Sequence, residues 1–155
     1  MCLLCVFVVK QDSYWFSQRR NDAKKKFFYV ISENEIAKIV VDCCYRLHTT
    51  FGPGLLESAY EKLLSHEIYK SNLKFKKQVA IPIEYDNIRL ETGFRADIIV
   101  ENKVILELKS VEVLSSLHKK QLLTYLKITN LKLGLLINFN SELIRGGIIR
   151  VVNHL

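Results

Sequence analysis

The stretch GFRADIIVENKVILELKS, residues 93–110, contains two apolar runs separated by three polar residues, Glu101, Asn102 and Lys103. Apolar runs of this length around a short polar segment predict a β-hairpin, with strands at residues 93–100 and 104–109. Each predicted strand carries an acidic residue among its aliphatic neighbours. The hairpin therefore combines a structural pattern with charged side chains that a buried strand does not need.

The charged side chains of the second strand follow the two-residue period of a β-strand. Glu107 and Lys109 alternate with Leu106 and Leu108, and successive side chains of a strand point to opposite faces of the sheet. We therefore expect Glu107 and Lys109 on one face and the two leucines on the other.

The length of the turn decides whether Asp97 joins Glu107. A two-residue turn would pair Asp97 with Leu106 and turn it away from Glu107. A turn with an odd number of residues, with Asn102 or a neighbour in the left-handed region, pairs Asp97 with Glu107. We predict such a turn or a bulge, and with it three further pairs: Ile99 with Ile105, Ile98 with Leu106, and Ala96 with Leu108.

The set formed by Asp97, Glu107 and Lys109 has the groups needed to cleave a phosphodiester bond. Two carboxylates can hold a divalent metal ion, and a lysine beside them supplies a positioned cation. The alternative is an ordinary solvated sheet face with a cross-strand ion pair. The hairpin alone does not decide between the two.

A helix is predicted over residues 115–129, where apolar residues recur at helical spacing among lysines and glutamines. Gln121 and Tyr125 are four residues apart and share one face of this helix. An amide and a phenol beside a metal site could bind phosphate or orient the carboxylates. The alternative is the half-buried edge of a helix.

A second helix is predicted after the turn Gly52-Pro53-Gly54 in FGPGLLESAYEKLL, residues 51–64. Glu57, Tyr60 and Glu61 share one face of it by their spacing. An acid in the first turn of a helix is favoured by the helix dipole whatever its function. Glu57 is therefore a candidate site residue that needs support from other residues.

These segments together resemble a known family. GPGLLESAY is similar to the signature of the GxxExxY proteins, which resemble a branch of the PD-(D/E)XK nuclease superfamily. The residues that carry the likeness are Gly54, Glu57 and Tyr60 of the signature, Asp97 and Glu107-Leu108-Lys109 of the superfamily core, and Gln121 and Tyr125 of the helix motif of RecB-like members. Ala96 stands where the superfamily name has proline. The resemblance covers roughly residues 35–151.

The resemblance implies a fold and a metal site. The expected fold is the α/β, restriction-endonuclease-like αβββαβ core, a mixed sheet flanked by helices. The expected ion is Mg²⁺ or Mn²⁺, held by Asp97, Glu107, the Leu108 carbonyl and Glu57, with nucleic acid, DNA or RNA, as the partner. The catalytic set implied is Asp97, Glu107, Lys109, Glu57, Gln121 and Tyr125.

The remaining sequence agrees with one domain of this kind. The chain has 155 residues, 49% of them hydrophobic, and only two prolines, which suits a single domain with a sizeable core. We predict helices at 34–49 and 54–71, and strands at 75–85, 131–138 and 148–152. The second of these strands should be buried on both faces, and Ser32 and Glu35 have the spacing of a capping box.

Residues 1–31 are predicted to be a basic extension with poor order, followed by a nuclease-like domain at residues 32–155. The first thirty residues hold six Lys or Arg and two Asp, a net of +4 within the +7 of the chain. The extension would contact the backbone of nucleic acid or have little consequence, and we favour the second. Residues 1–9 are apolar but too short to cross a bilayer, and no signal peptide or membrane anchor is predicted.

Cysteine and histidine add little to these expectations. Cys2 and Cys5 have metal-ligand spacing without a second pair, and Cys43 and Cys44 are adjacent on a helix. We expect buried or free thiols in a reducing cytoplasm, where the protein is predicted to act. His48 could point into the site or interact with the end of the first helix.

Two classes of function remain open from the sequence. The first is metal-dependent hydrolysis of phosphodiesters in nucleic acid. The second is a catalytically weak or inactive nuclease-fold module that binds or interacts without efficient chemistry, since a fold does not establish a function. The presence of Asp97, Glu107 and Lys109 together favours the first.

Overall fold

The computed structural model describes residues 30–155 of the chain. The predicted extension of residues 1–31 and the Cys2–Cys5 pair lie almost wholly outside this range, so the proposed division into two parts stays a prediction. The elements follow in the order α1 (Glu33–Phe51), α2 (Glu57–Lys70), β1 (Phe75–Tyr85), β2 (Ile88–Val100), β3 (Val104–Lys109), α3 (Ser116–Thr129), β4 (Leu133–Asn138), α4 (Ile144–Gly147) and β5 (Ile148–Val152).

The strands form one mixed five-stranded sheet in the order β1-β2-β3-β4-β5. Only β3 and β4 are parallel, and the crossover between them contains α3; the other three pairs are antiparallel. The order of helix, three strands, helix and strand is the αβββαβ core that the sequence predicted. Both β3 and β4 lie inside the sheet, and every residue of β4 is buried as expected.

Helices cover both faces of the sheet and create two apolar clusters. The first cluster joins α1 and α2 to alternate residues of the central strands, among them Ile98, Leu106 and Leu108. The second joins α3 to the opposite face, through Ile105 and Leu136. The domain is thus a three-layer sandwich, and any side chain of β3 that follows the parity of Ile105 points toward α3.

The first helix begins where the capping pattern indicated. The Ser32 hydroxyl accepts from the amide of Glu35 at 3.3 Å, and Glu35 Oε2 accepts from the amide of Ser32 at 2.9 Å, which satisfies two amides at the start of α1. The helix ends at Phe51. The amide of Gly52 still donates to the His48 carbonyl, but the φ of 65° at Gly52 stops further winding.

Three features differ from the sequence prediction. Helix α2 begins at Glu57 and not at residue 54, so the Gly-Pro-Gly turn extends to Leu56. Strand β2 begins at Ile88, five residues earlier than predicted, because Asp86 and Asn87 both adopt positive φ and close a tight two-residue hairpin turn. The short helix Ile144–Gly147 was not predicted, since four residues carry no periodic pattern.

No helix among residues 30–155 is both long and apolar enough to cross a membrane.

Candidate active site

The β2–β3 hairpin has the odd turn that parity required. Glu101, Asn102 and Lys103 form it, with φ of 50° at Glu101 and 53° at Asn102. Ile99 pairs with Ile105 and Ile98 with Leu106, as predicted. The register, continued by one residue, brings Asp97 beside Glu107, and the Asp97 carboxylate accepts from the amide of Leu108 at 2.8 Å.

The predicted position of Ala96 is wrong. Ala96 is fully buried, but it packs in the second cluster, while Ile98 and Leu108 belong to the first. Strand β1 explains the change: Lys77 pairs with Ile98 and Val79 with Ala96, and Gln78 between them has a φ of 51°. The left-handed residue interrupts the regular alternation of side chains without changing the register, and the faces exchange at the same point, at Asp97.

Asp97 lies at this distortion. The Leu108 amide donates to its carboxylate, and the Gln78 side chain, which donates to Glu61 of α2, lies close enough to favour the charged form of Asp97. Burial nevertheless raises the pKa of Asp97 above its usual value, against the lowering effects of the Leu108 amide and the Lys109 charge. The carboxylate is therefore fixed in place in an environment that disfavours its charge.

Glu107 is buried, only 3% exposed, which contradicts the alternative of a solvated sheet face. Lys109 Nζ donates to Glu107 Oε1 at 2.7 Å, while Glu107 Oε2 is buried without a hydrogen-bond partner. Burial, with repulsion from Asp97, raises the pKa of Glu107 to about 7. One carboxylate oxygen of this residue thus lacks the partner that burial ordinarily demands.

Lys109 shares its face of β3 with Glu107, as the alternation predicted. Its amine also donates to the Leu108 carbonyl at 2.9 Å. Burial alone would lower the pKa of Lys109, but the hydrogen bond and charge of Glu107 outweigh it, with help from Glu57 and Asp97, and the pKa is raised. Lys109 is therefore a cation near neutral pH.

Helix α2 brings Glu57 to the edge of this cluster. Glu57 is the first residue of the helix and is exposed, yet its charge acts on both Glu107 and Lys109. Glu61, one turn later, repels Asp97. Glu57 lies within electrostatic reach of the carboxylates, at the solvent side of the cluster.

Tyr60, the last residue of the predicted signature, has a structural position. It is fully buried, its hydroxyl donates to the Gly52 carbonyl at 2.6 Å, and its ring stacks on Phe139 with centroids 4.3 Å apart. The Ser110 hydroxyl donates to the Leu55 carbonyl at 2.8 Å. The Gly-Pro-Gly turn is thereby tied to the core and to the residue after Lys109, which fixes the start of α2 beside the site.

Helix α3 places Gln121 and Tyr125 over the other side of the cluster. The Gln121 amide donates to the Tyr125 hydroxyl at 2.6 Å, and the Tyr125 ring packs against Phe94 at 5.0 Å. Burial raises the pKa of Tyr125, opposed by the Gln121 bond and reinforced by the charge of Glu107. The side chains of Gln121 and Tyr125 therefore contact each other, and the charges of the site affect the pKa of Tyr125.

Several contributing residues were not expected from the sequence. Gln78 lies opposite Asp97 with a left-handed backbone, and its residue type does not indicate this because glutamine, unlike glycine or asparagine, does not favour that conformation. The buried Asn138 at the end of β4 exchanges two hydrogen bonds with Val111, at 3.0 and 2.8 Å, and so holds the loop that follows Lys109. The sequence signal that could have identified Asn138 is its position as a polar residue at the end of a buried apolar run.

His48 and the described cysteines lie apart from the cluster. His48 Nε2 contacts the Ser141 carbonyl at 2.9 Å, which links the last turn of α1 to the loop after β4. Cys43 and Cys44 are buried free thiols, as expected, and burial raises the pKa of Cys44 far above its usual value. A role for His48 in the cluster is not supported by its contact.

The donor set suits a hard divalent cation. Within residues 30–155, no group of three or more His, Cys, Asp or Glu side chains is arranged to hold a metal ion. The carboxylates of Asp97 and Glu107 interact electrostatically, and the unpartnered Glu107 Oε2 is the kind of oxygen that such a cation would satisfy. The chemistry of these oxygen donors thus fits a hard divalent cation.

A comparison with protein families found one match. The model described as the PD-(D/E)XK nuclease superfamily matches residues 34–151, most of the chain and all the residues of the cluster. No curated protein and no solved structure matches the chain. The narrower likeness to GxxExxY proteins stays a prediction.

Proposed function

Because the chain belongs to the PD-(D/E)XK nuclease superfamily, we propose that it hydrolyses phosphodiester bonds of nucleic acid with the help of a divalent metal ion. The observation that carries this proposal is the state of Glu107. Its carboxylate is buried beside Asp97 with one oxygen lacking a partner. Such an arrangement is costly for a structural group and suited to a cation ligand.

The ligands we propose for Mg²⁺ or Mn²⁺ are Asp97, Glu107 and the Leu108 carbonyl, with Glu57 joining directly or through water. When bound, the ion would polarise a phosphate oxygen and acidify a water. Asp97 is supported in this role by the Leu108 amide, which donates to its carboxylate and fixes its direction. Glu57 is supported by its electrostatic reach and by its exposure, which leaves it able to approach the ion.

Lys109 would neutralise charge that develops on phosphate or orient the attacking water. Its raised pKa keeps the amine protonated. The side chain is also largely shielded from solvent, and a fixed charge has more effect in such a site than in water. Its hydrogen bonds to Glu107 and Leu108 hold it next to the proposed ligands.

Gln121 and Tyr125 would steady the substrate phosphate or a carboxylate. Since the Gln121 amide donates to the Tyr125 hydroxyl oxygen, the hydroxyl proton remains for another acceptor. The raised pKa of Tyr125 keeps that proton in place near neutral pH. An acceptor such as a phosphate oxygen would complete this chain of hydrogen bonds.

The test is a nuclease assay of the purified chain with Mg²⁺ and with Mn²⁺, on single- and double-stranded DNA and RNA. We expect metal-dependent cleavage of at least one substrate and a loss of about a hundredfold or more in Glu107→Ala. Glu142→Ala, which removes an exposed carboxylate from the loop after β4, is the control and should retain activity. Nucleic-acid binding without cleavage would favour the inactive nuclease-fold module instead.

A further inference from the structure

The end of α2 and the start of β1 enclose a cavity away from the carboxylate cluster. Its volume is about 540 Å³, and its lining combines aromatic, basic and amide side chains: Tyr69, Lys70, Asn72, Leu73, Lys74 and Phe75. A smaller cavity, about 130 Å³, adjoins it across Lys74 and Phe75 and adds Lys76. We call these two cavities the Tyr69 basin.

Tyr69 offers an open ring at this basin. Its side chain is 72% exposed, and in the described part of the chain it stacks on no other aromatic ring. An exposed tyrosine beside basic side chains is the composition of platforms on which unpaired bases stack. Phe75 lies half-buried at the base of the same basin.

The basin also carries an excess of positive charge. Lys70 pairs with Glu67, which also binds Arg46. The acidic residue Glu101 lines the smaller cavity, but within residues 30–155 neither Lys74 nor Lys76 forms an ion pair. Glu101 forms two hydrogen bonds with the backbone of Lys74. The Lys74 amide donates to Glu101 Oε1 at 2.6 Å, and the Glu101 amide donates to the Lys74 carbonyl at 2.8 Å. Lys74 therefore projects from a fixed backbone into the basin.

Strand β1 connects the basin to the carboxylate cluster. It runs from Phe75, which lines the basin, to Gln78, which lies beside Asp97, with Lys76 and Lys77 exposed between them. Three residues of strand span about 10 Å, so the basin begins about 10 Å from the point at which β1 passes Asp97. A strand whose phosphate lies at Asp97 can thus reach Tyr69 within a few nucleotides.

We propose that the Tyr69 basin binds an unpaired nucleotide of the substrate, so that the preferred ligand is single-stranded nucleic acid. This inference rests on the proposed nuclease function for its substrate class. Tyr69 would stack on an unpaired base, and Lys74 and Lys76 would contact phosphates between that base and the carboxylates. A base inside a duplex is already stacked on both sides and leaves no face for Tyr69.

The test measures equilibrium binding without metal, by fluorescence anisotropy of labelled 12-nucleotide single strands and the matching duplexes. We expect Tyr69→Ala to weaken single-strand binding roughly tenfold, with duplex binding changed less than about twofold, and Tyr69→Phe to retain affinity. Lys74→Ala should reduce the salt slope by about 0.7. Tyr85→Ala, which removes an exposed tyrosine at the hairpin tip, and Lys127→Ala on α3 are the matched controls.

The inference is overturned if Tyr69→Ala and Lys74→Ala bind single strands as the two controls do, or if they weaken duplex binding equally. It is also overturned if the unaltered chain prefers duplex. The affinity measurement does not depend on cleavage. A chain that binds single strands through Tyr69 but never cleaves would contradict the nuclease proposal alone, and a chain that cleaves with unaltered affinity in Tyr69→Ala would contradict this inference alone.

Discussion

Glu107 is the residue in which stability and chemistry conflict most clearly. The fold buries its carboxylate, sets Asp97 beside it and leaves Oε2 without a hydrogen bond. Lys109 compensates in part, yet the pKa of Glu107 still rises to about 7. A site that costs stability in the metal-free protein is what the trade-off between function and stability predicts.

The first prediction concerns Glu107→Gln in the metal-free protein. A carboxyl with a folded pKa of about 7 and a usual value of 4.5 binds more protons in the folded state between these pH values. Its contribution to the free energy of unfolding is therefore full below pH 4.5 and is lost as pH rises through 7. Glutamine does not titrate, so Glu107→Gln should gain stability relative to the original chain over this range, by about 2 kcal/mol.

Urea denaturation of both proteins at pH 5 and pH 8, in the presence of a chelator, measures this difference. Glu142→Gln is the control, because that carboxylate is exposed. A clear loss of stability in Glu107→Gln at pH 8 would show that the bond with Lys109 is a structural ion pair and would contradict our interpretation.

At the scale of elements, the paired distortion of β1 and β2 sets the direction of Asp97. Gln78 adopts a φ of 51° opposite Asp97, and its side chain donates to Glu61 and favours the charged form of Asp97. A left-handed backbone costs a residue with a side chain roughly 1–2 kcal/mol. The strain at this point is a second sign that the sheet is shaped around the carboxylates.

The second prediction uses this backbone. Gln78→Gly and Gln78→Ala both remove the amide, but only glycine relieves the left-handed strain, so Gln78→Gly should be more stable by about 1 kcal/mol. The free energies of unfolding from urea titrations decide it. The same pair at Lys76, outside the left-handed region, should show the reverse order, because glycine weakens a regular strand. Equal or greater stability of Gln78→Ala would show that the left-handed backbone at Gln78 is not strained.

The elements also show how far sequence reasoning reaches. The three-residue turn at 101–103 was predictable, because only an odd turn puts Asp97 and Glu107 on one face. The exchange of sheet faces that moves Ala96 to the α3 side was not predictable, since it depends on a glutamine in a conformation that its residue type does not favour. The burial of Glu107 was not predictable either, because α3 and β4, which cover it, come later in the chain.

For the whole molecule, the open question is the basic segment of residues 1–30. The third prediction is that its deletion leaves cleavage at saturating substrate intact, because all the proposed site residues lie beyond Gly54. Ile31 and Ser32 are kept, since Ile31 packs on the core and Ser32 caps α1. We also expect the slope of log affinity against log salt to change by less than about one unit.

Cleavage rates at saturation and binding over a range of salt concentrations check this prediction. A change of several units in the slope would show that the segment contacts several phosphates. Loss of cleavage at saturation would assign part of the active site to residues 1–30.

Calorimetric titration with Mn²⁺ tests the central claim most directly, because it measures the proposed metal site without requiring the substrate. The chain at pH 7.5 should bind Mn²⁺ with Asp97 and Glu107 as ligands, and Glu107→Gln should bind it roughly tenfold or more weakly. Glu142→Gln should bind as the original chain does. Equal Mn²⁺ affinity in Glu107→Gln and the original chain would contradict the metal site and the mechanism built on it.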